Sequence, residues 1–500
     1  MNDTSACSGI WMLALATLLA AMPAASAEID PGLMAKAAQA GKVPVLLVLP
    51  EQDTPVLTPL RRDTDVVARR RALVDALSAR ASSSQAPLRA WLEQRGIAYR
   101  AYWIANVIST RLTAAQIDEV ARREDFARIA SDQALRQSVP TARRDGAQTK
   151  ALRALPWGLS KINAPQAWAQ GILGQGVVVA GADTGYQWDH PALKAQYRGW
   201  NGVSASHAYN WHDAIHDSGS SCGADSPSPC DDNNHGTHTM GTMLGTIPSS
   251  DVIGVAPQAR WIGCRNMNAG WGTPARYIEC MQWFLAPTDS AGNNPDPGQA
   301  PDVINNSWGC VPEEGCTTGE ELRAAVVNVV AGGILFVVSA GNSGSACSTI
   351  LDSPATYAAS FVVAASSSTD ALASFSSRGP VAGASGVELD IAAPGVSVYS
   401  SLRNSGYGSM SGTSMAGPHV AGVAALVMSA NPALRGHPDE VAAILRAAAT
   451  RQGITDPYRS SCGGLTMANW PNWQAGYGRL DAWAAVSLAD STLFADGFEP

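Results

Sequence analysis

Four segments that are predicted as buried strands constrain the fold of this 500-residue chain more than any other feature. Strands without polar alternation are covered on both faces, and helical stretches between such strands indicate a parallel sheet with helices on both sides. One such helical stretch lies at 320–330. The sequence therefore predicts an α/β fold of three layers with a mostly parallel sheet. The four predicted strands are Val177–Ala182, Asp302–Ser307, Ile334–Ser339 and Phe361–Ala365.

Polar residues follow three of these strands at the point where each strand ends. Asp183 follows the first strand, Ser307 closes the second, and Asn342 comes shortly after the third. The carboxyl ends of parallel strands share one edge of the sheet, where sites for ligands and chemistry gather. We therefore expect the functional residues at this edge.

The segment before residue 150 differs from the rest in charge and in pattern. Residues 28–150 carry 19 Lys or Arg and 14 Asp or Glu, whereas residues 151–500 carry 15 and 27. Modules of opposite charge attract each other, although two unrelated solvated surfaces have the same composition. The net charge of −8 argues against nucleic acid as a partner. The front module is predicted as α+β, with strands at 43–49, 101–111 and 126–131, helices at 65–79, 87–95 and 114–123, and an exposed linker at 140–150.

An apolar run and a small-residue motif at the start of the chain predict an export signal. The run Ile10–Met22 is too short to span a bilayer, and Ala25-Ser26-Ala27 fits the cleavage site of a secretory signal peptide. Residues 1–27 are therefore interpreted as a signal peptide. The product is predicted to be secreted (extracellular or periplasmic), with no membrane association once the signal is removed.

The cysteines fit an oxidising compartment. Eight of the nine lie after residue 151, and an even number in an exported chain suggests up to four disulfides. Cysteine spacing alone does not establish the pairing. The three close pairs are the natural guesses, and they leave a fourth: Cys222 with Cys230, Cys264 with Cys280, Cys310 with Cys316, and Cys347 with Cys462.

Motifs crowded with small residues contain a candidate nucleophile and a candidate base. Ser414 stands in GTSMAGPHVAG, before an apolar helix whose positive dipole end would lie near its hydroxyl. A helix N-cap is the plain alternative, and a Ser hydroxyl is a poor nucleophile without a base. His235, in NHGTHTMG, is the candidate base. A zinc pair with His238 is not favoured, because Gly236 takes the Glu position of an HExxH motif and the spacing is one residue short.

Asp183 is the candidate acid, and the order of the three residues along the chain discriminates between protease and esterase folds. An acid fixes the tautomer of a catalytic histidine and stabilises its cation. The order Asp183, His235, Ser414 differs from the order nucleophile, acid, histidine of the α/β-hydrolases. A chymotrypsin-like order would place the histidine first and would require a β-barrel rather than strands that alternate with helices.

In these three motifs, in this order, the chain resembles the subtilisin-like serine proteases (subtilases). The similarity extends from about Trp157 to about Ala485. The sequences of two further segments are most similar to the bacillopeptidase F-type branch of the family. These segments are NNSWGC at 305–310 and SSRGP at 376–380.

The resemblance implies roles for further residues at the site. Asn342, in AGNSG, would donate its side-chain amide to the developing oxyanion, together with the backbone N–H of Ser414. The segment Ser307, Trp308 and Gly309 would bind substrate by pairing with an extended peptide backbone. Trp308 would wall a pocket or belong to the core.

The resemblance also implies how the chain is organised. It implies a signal peptide at 1–27, an inhibitory propeptide at 28–145, a catalytic domain at 152–485, and a C-terminal tail of unknown role at 486–500. The propeptide would inhibit its own enzyme and be removed by self-cleavage between about Pro140 and Leu155, with Arg143-Arg144 and Lys150 as exposed candidates. An independent binding domain is the alternative interpretation of the front module.

The chain is thus expected to be a secreted serine endopeptidase, made as a zymogen, that hydrolyses polypeptides. It is expected to require no cofactor. Oxygen-rich loops at 231–233 and 213–225 leave a structural Ca²⁺ open, although such runs are more often solvated loops. A catalytically inactive subtilase-like binding protein is the alternative from another class, and an exopeptidase is the second.

Overall fold

The computed structural model describes residues 27–50, 65–123, 125, 127–137, 139–144, 155–219, 221–247, 251–318, 320–381 and 389–491. The interpreted signal peptide lies outside these residues except for Ala27, and so does the end of the predicted tail, from residue 492. Among the described helices, none is both long and apolar enough to cross a bilayer.

Strands and helices alternate through most of the described chain. The strands are β1 Glu28–Ile29, β2 Val43–Val48, β3 Tyr99–Tyr102, β4 Val107–Leu112, β5 Arg128–Ser131, β6 Leu135–Arg136, β7 Arg143–Arg144, β8 Val178–Asp183, β9 Trp211–Asp213, β10 Arg260–Arg265, β11 Trp271–Gly272, β12 Val303–Asn306, β13 Leu335–Ser339, β14 Phe361–Ser366, β15 Ile391–Pro394, β16 Val398–Leu402, β17 Gly406–Met410, β18 Ser461–Cys462 and β19 Leu465–Thr466. The α-helices are α1 Leu33–Ala40, α2 Val66–Ser84, α3 Ala86–Gln94, α4 Ala114–Ala121, α5 Trp157–Lys161, α6 Ala164–Ala169, α7 His235–Leu244, α8 Pro274–Leu285, α9 Arg323–Ala331, α10 Thr413–Ala430, α11 Pro438–Ala447 and α12 Ala482–Ser491.

A seven-stranded sheet lies at the centre of the molecule, in the order β15-β14-β13-β12-β8-β10-β9, and every neighbouring pair is parallel. The four strands predicted from apolar runs are β8, β12, β13 and β14. Asn306 at the end of β12 pairs with Ala182 on one side and Val338 on the other. Asp183, Ser307 and the loop after β13 therefore emerge at one edge, as the sequence predicted.

Alternate residues of each strand face two separate hydrophobic cores. Val303 and Val337 belong to the core that contains α7, α10, α11 and α12, whereas Ile304 and Phe336 belong to the core that contains α8 and α9. Helix α10 is buried from its first residue to Met428 and contacts β12, β13, β14 and β15. The predicted three-layer α/β architecture is confirmed.

The front module forms a five-stranded sheet of its own, in the order β1-β5-β2-β4-β3. One face of this sheet packs with α1, α3 and α4 in a separate core. Leu46, Tyr102 and Ala130 on the other face share one continuous core with Ile278 of α8 and Val326 of α9. The front sheet is therefore packed onto the helical layer formed by α8 and α9.

Polar contacts also cross this interface. Arg128 forms an ion pair with Glu321 at 2.7 Å, and the Tyr102 hydroxyl donates a hydrogen bond to Glu279 at 2.8 Å. The Asp132 carboxylate accepts from the backbone N–H of Ala275 at 2.9 Å, at the amino end of α8. Helix N-terminal N–H groups have no partner within their own helix, so a residue of the front module completes a helix of the other module.

The structure differs from the sequence prediction at three places. The strand predicted at 101–111 is the hairpin β3–β4, because a turn at 103–106 interrupts an apolar pattern that continues through it. Arg143–Arg144, predicted as part of an exposed linker, pair with β17 as strand β7. The tail predicted from residue 486 begins inside helix α12, whose Val486 and Ala489 are buried. The folded body therefore extends past residue 485.

Four disulfides join the eight described cysteines as the spacing suggested. Their Cα atoms lie 5.4–5.8 Å apart, within the usual range. Three disulfides close loops of 6 to 16 residues. The fourth joins Cys347, in the loop after β13, to Cys462 of β18 across 115 residues.

Candidate active site

A carboxylate and an imidazole form a buried pair at the carboxyl edge of the sheet. Asp183 is the last residue of β8, and its Oδ1 accepts hydrogen bonds from His235 Nδ1 and the Thr184 N–H, both at 2.7 Å. The two side chains are at most 1% exposed. Because the carboxylate accepts from Nδ1, the opposite nitrogen Nε2 carries the lone pair. This Nε2 is buried and has no hydrogen-bond partner among the described residues.

Ser414 is the second residue of α10, and its hydroxyl lies beside the same part of the sheet. Its Oγ donates to the Ser307 carbonyl at 3.3 Å. Helices α7 and α10 contact each other. Asn234, directly before His235, lines one cavity with Gln137 and Val139, and Ser414 lines a second cavity with the same two residues.

A proline inside α10 explains the contact between Ser307 and the nucleophile candidate. Pro418 has no N–H, so the carbonyl of Ser414 four residues earlier loses its helical donor. The Ser307 hydroxyl donates to that carbonyl at 2.9 Å instead. Ser307 therefore fixes the first turn of α10 from the neighbouring strand β12.

Asn342 lies in the loop after β13 with its amide held in one orientation. Its Oδ1 accepts from the Thr413 N–H at 2.9 Å and from the Thr413 hydroxyl at 3.0 Å. A backbone N–H is always a donor, so it identifies the acceptor end of the amide. No hydrogen bond among the described residues uses Nδ2. The side chain is thus oriented beside Ser414 with a donor to spare.

A cavity of about 310 Å³ adjoins Ser414 and Asn342. Trp308 lines it and is also core: it is 5% exposed and stacks on Tyr277 with ring centroids 3.9 Å apart. Gly309 lies against Asp352, since a Cβ on Gly309 would stand 2.9 Å from the Cβ of Asp352. The two interpretations of Trp308 therefore both apply.

Asp352 brings a carboxylate to this cavity. It is partly buried, and no hydrogen bond or ion pair among the described residues engages its side-chain oxygens. Burial raises its pKa, and the nearby charge of Glu313 adds to the shift. A carboxylate without a partner in a concave site attracts a cationic ligand group.

The protein's own chain runs through this site. Strand β6, Leu135–Arg136, pairs antiparallel with β11, and the Gln137 N–H donates to the Gly270 carbonyl at 2.7 Å. Pro140 packs against Gly412, and β7 then pairs antiparallel with β17. Residues 135–137 and 139–144 therefore run past the cavity that contains Ser414 and pair with β11 and then with β17.

The sequence profile of the subtilase family matches residues 174–464. The chain belongs to the subtilase family. Its members are subtilisin-type serine endopeptidases, and the matched residues include Asp183, His235, Asn342 and Ser414.

Individual subtilases match over different lengths. Bacillopeptidase F of Bacillus subtilis (strain 168) is 36% identical over 444 residues, which are 85% of this chain and 29% of that protein. Subtilisin Savinase of Lederbergia lenta is 36% identical over 314 residues, which are 62% of this chain and 96% of its own length. M-protease of Shouchella clausii (strain KSM-K16) is 35% identical over 322 residues, 63% of this chain and 70% of that protein. The chain thus spans less than a third of the bacillopeptidase F that it matches.

The second histidine of this subtilase's HGTH motif takes no part in the buried pair. His238 Nε2 donates a hydrogen bond to the Val398 carbonyl at 3.0 Å. Burial, together with the neighbouring His235, lowers its pKa to about 3, so the ring is neutral. Among the described residues, no group of three or more His, Cys, Asp and Glu side chains is arranged to hold a metal ion.

The acidic residues considered for Ca²⁺ bind groups of the protein itself. Asp231 accepts from the Thr184 and Thr237 hydroxyls and from backbone N–H groups at 233, 234 and 237. Asp213 accepts from Arg265 Nε at 2.9 Å. These carboxylates therefore hold the loop that precedes His235 in place.

Sequence reasoning did not find three parts of this subtilase site. They are β11 and Gly270, the strand β17, and Asp352. The two strands are short and lack an apolar run, so no periodicity identifies them. The signal that Asp352 offered was its position ten residues after Asn342 in a loop rich in small residues, which is weak without the fold.

Proposed function

We propose that this subtilase cleaves polypeptides internally, with Ser414 as nucleophile, His235 as general base and acid, and Asp183 as the residue that orients His235. The buried Asp183–His235 hydrogen bond is the observation that carries this assignment. It leaves His235 Nε2 as an acceptor without a partner among the described residues, and helices α7 and α10, which carry His235 and Ser414, contact each other.

The proposed reaction uses groups of the chain itself. The Ser414 hydroxyl rotates from the Ser307 carbonyl, transfers its proton to His235 Nε2 and attacks the scissile carbonyl. His235 then protonates the leaving amine, and water repeats the sequence to release the acyl group. Asn342 Nδ2 and the Ser414 N–H, a free donor in the first turn of α10, stabilise the oxyanion.

We further propose that the front module, including residues 28–137, is an inhibitory propeptide. Two observations support this. The module packs on α8 and α9, and its continuing chain at 135–137 and 139–144 pairs with β11 and β17 and lines the same cavity as Ser414. Self-cleavage is proposed between Gln137 and Pro140, just before the range from about Pro140 to Leu155 that was expected from sequence. Gln137 and Val139 line the same cavity as Ser414, which supports this position over Arg143-Arg144.

Export is also part of the proposal. The signal motif at 1–27 and the four disulfides of the catalytic domain are consistent with folding in an oxidising compartment. Polypeptides are the proposed substrates, and the propeptide is the proposed intramolecular inhibitor.

Labelling with a fluorophosphonate tests the enzyme assignment directly. The purified mature protein is expected to be labelled, and Ser414→Ala and His235→Ala are expected to prevent labelling. An unlabelled wild-type protein would support the inactive binding protein. Cleavage of internally quenched peptides with both ends blocked separates an endopeptidase from an exopeptidase, which requires a free terminus.

Self-processing is tested with the same variant. The Ser414→Ala chain is expected to purify with the front module still attached, whereas the wild type is expected to begin within residues 138–140 by mass spectrometry. Maturation of the purified Ser414→Ala chain would refute self-cleavage, and a wild-type start at 145 or later would refute the proposed position.

A further inference from the structure

After it passes Ser414, the crossing segment forms a second strand pairing, which the proposed catalytic steps do not use. Ser409 and Gly408 of β17 pair antiparallel with Arg143 and Arg144 of β7, and β17 pairs on its other side with β16. Strand β7 therefore forms the edge of this three-stranded sheet. After self-cleavage between Gln137 and Pro140 this segment is the amino terminus of the mature chain and is no longer held at the active site from its upstream side. Once it leaves β17, the hydrogen-bonding edge of that strand can accept another strand.

A small apolar seat lies beside this edge. Ala142 packs against a cluster formed by Val398, Leu402, Met410 and Met415. Met415 directly follows the nucleophile, so the seat is continuous with the active site. A short apolar side chain fits there at the position of Ala142, which gives the edge a side-chain preference as well as backbone contacts.

Gly408 permits the close approach of the two backbones. A Cβ at this position would stand 2.7 Å from the carbonyl oxygen of Arg143, a distance that real Cβ atoms do not show, and 2.8 Å from the end of the flexible Leu402 side chain. The neighbouring Gly406 has no such contact, because its nearest neighbours would be Arg403 O at 3.4 Å and Leu402 Cβ at 3.7 Å. Of these two glycines, only Gly408 is therefore required by the crossing chain.

We propose that the edge of β17 and its apolar seat form an extended binding site for the part of a polypeptide substrate that follows the scissile bond. This inference rests on the proposed endopeptidase function. Substrate residues matching Arg143 and Arg144 add to β17 as an antiparallel strand, and the residue matching Ala142 enters the apolar seat. The site selects long, extended substrates with a small apolar residue at that position and without proline at the two that follow.

Two internally quenched peptides test the site on the mature enzyme. Both contain residues 133–141 of this chain, and the longer one continues to residue 144. The longer peptide is expected to have a kcat/KM about tenfold higher, as one or two backbone hydrogen bonds predict. Methylation of the backbone nitrogen at the positions of Arg143 and Arg144, one at a time, is expected to remove this gain in at least one peptide.

The matched variants Gly408→Ala and Gly406→Ala locate the effect on the enzyme. Gly408→Ala is expected to abolish the advantage of the longer peptide and to leave kcat/KM for the shorter one within twofold, whereas Gly406→Ala retains the advantage. Equal kcat/KM for the two peptides in the wild type overturns the inference, and so does an equal loss on both peptides in Gly408→Ala. Hydrolysis of fluorescent casein is measured in parallel. An enzyme that digests casein but neither peptide overturns only this inference, whereas one that does not digest casein overturns the proposed function.

Discussion

At the scale of single residues, the orientation of Asn342 is determined by one neighbour. Thr413 donates two hydrogen bonds to its Oδ1, one from the backbone and one from the hydroxyl. The donor group Nδ2 is thereby directed away from Thr413 without an induced movement. An oxyanion donor that is held before the substrate arrives costs no reorganisation during the reaction.

Asn342→Ala is expected to lower kcat by about 10²–10³, the loss that removal of one such donor causes in subtilisin, which we apply here by family. KM should change little, because the interaction forms in the transition state. Thr413→Val is the matched control: it removes the hydroxyl contact but keeps the backbone N–H, so the expected loss is about tenfold or less. Steady-state kinetics on a quenched peptide would contradict the assignment if Asn342→Ala retained wild-type kcat.

Asp352 is expected to select Arg or Lys at the residue whose carbonyl is attacked. Asp352→Asn should lower kcat/KM for peptides with Arg at that position by about 10–100-fold relative to Leu, as loss of a charge-assisted hydrogen bond predicts. Because burial raises the pKa of Asp352, the preference for Arg should weaken as the pH falls through that pKa. Glu313→Gln removes an exposed neighbouring charge and should alter the ratio of kcat/KM between Arg and Leu peptides less than Asp352→Asn does. An unchanged ratio in Asp352→Asn would rule out this role.

At the scale of secondary-structure elements, long apolar strands were predictable and short contact strands were not. The segments that became β8, β12, β13 and β14 are buried on both faces, and the sequence prediction located them within one residue. The positions of Asp183 and Asn342 were predictable as well, because residues that follow parallel strands lie at the carboxyl edge of the sheet. Strands β6, β7, β11 and β17 form because another segment lies beside them, which is a tertiary property that local sequence does not encode.

The disulfide between Cys347 and Cys462 connects the loop that carries Asn342 and Asp352 to the hairpin β18–β19. It closes 115 residues, whereas Cys222–Cys230 closes 8. Chain entropy assigns about 4–5 kcal/mol to the first and about 2–3 kcal/mol to the second. Replacing both Cys347 and Cys462 with Ser in the Ser414→Ala chain should therefore lower the free energy of unfolding in urea by more than the same replacement at 222 and 230. The reverse order would contradict this expectation.

At the scale of the whole molecule, the front module and the enzyme share buried groups as well as surface charges. The charge asymmetry predicted attraction, and the ion pair Arg128–Glu321 is one expression of it. Apolar contacts contribute as well, because one continuous core contains residues of both modules. Buried carboxyl groups also lie at the boundary, and burial raises the pKa of two of them, Asp132 and Glu314.

Glu314 lies between the catalytic domain and the chain that crosses the site. Tyr277 donates to its Oε1 at 2.7 Å, and Gln137 of the crossing segment donates to its Oε2 at 3.0 Å. Burial raises its pKa from the usual value near 4.5 to about 8, and the nearby Asp132 of the front module adds to the shift. The folded precursor therefore favours the protonated form. The contribution of Glu314 to the stability of the folded precursor is therefore complete below about pH 4.5 and is lost as the pH rises through about 8.

Glu314→Gln should make the Ser414→Ala precursor less sensitive to this loss, since an amide remains neutral at every pH. Relative to its parent, the double variant is expected to gain stability between pH 5 and pH 9, with an upper limit of about 5 kcal/mol from about 1.4 kcal/mol per pH unit. Urea midpoints at pH 5, 7 and 9 measure this difference. Glu313→Gln, at the exposed neighbouring position, is the control and should show a difference that does not depend on pH. A stability difference between Glu314→Gln and its parent that stays constant across this range would show that the Glu314 carboxyl is ionised in the folded precursor throughout. The contribution of Glu314 to the stability of the precursor would then not depend on pH.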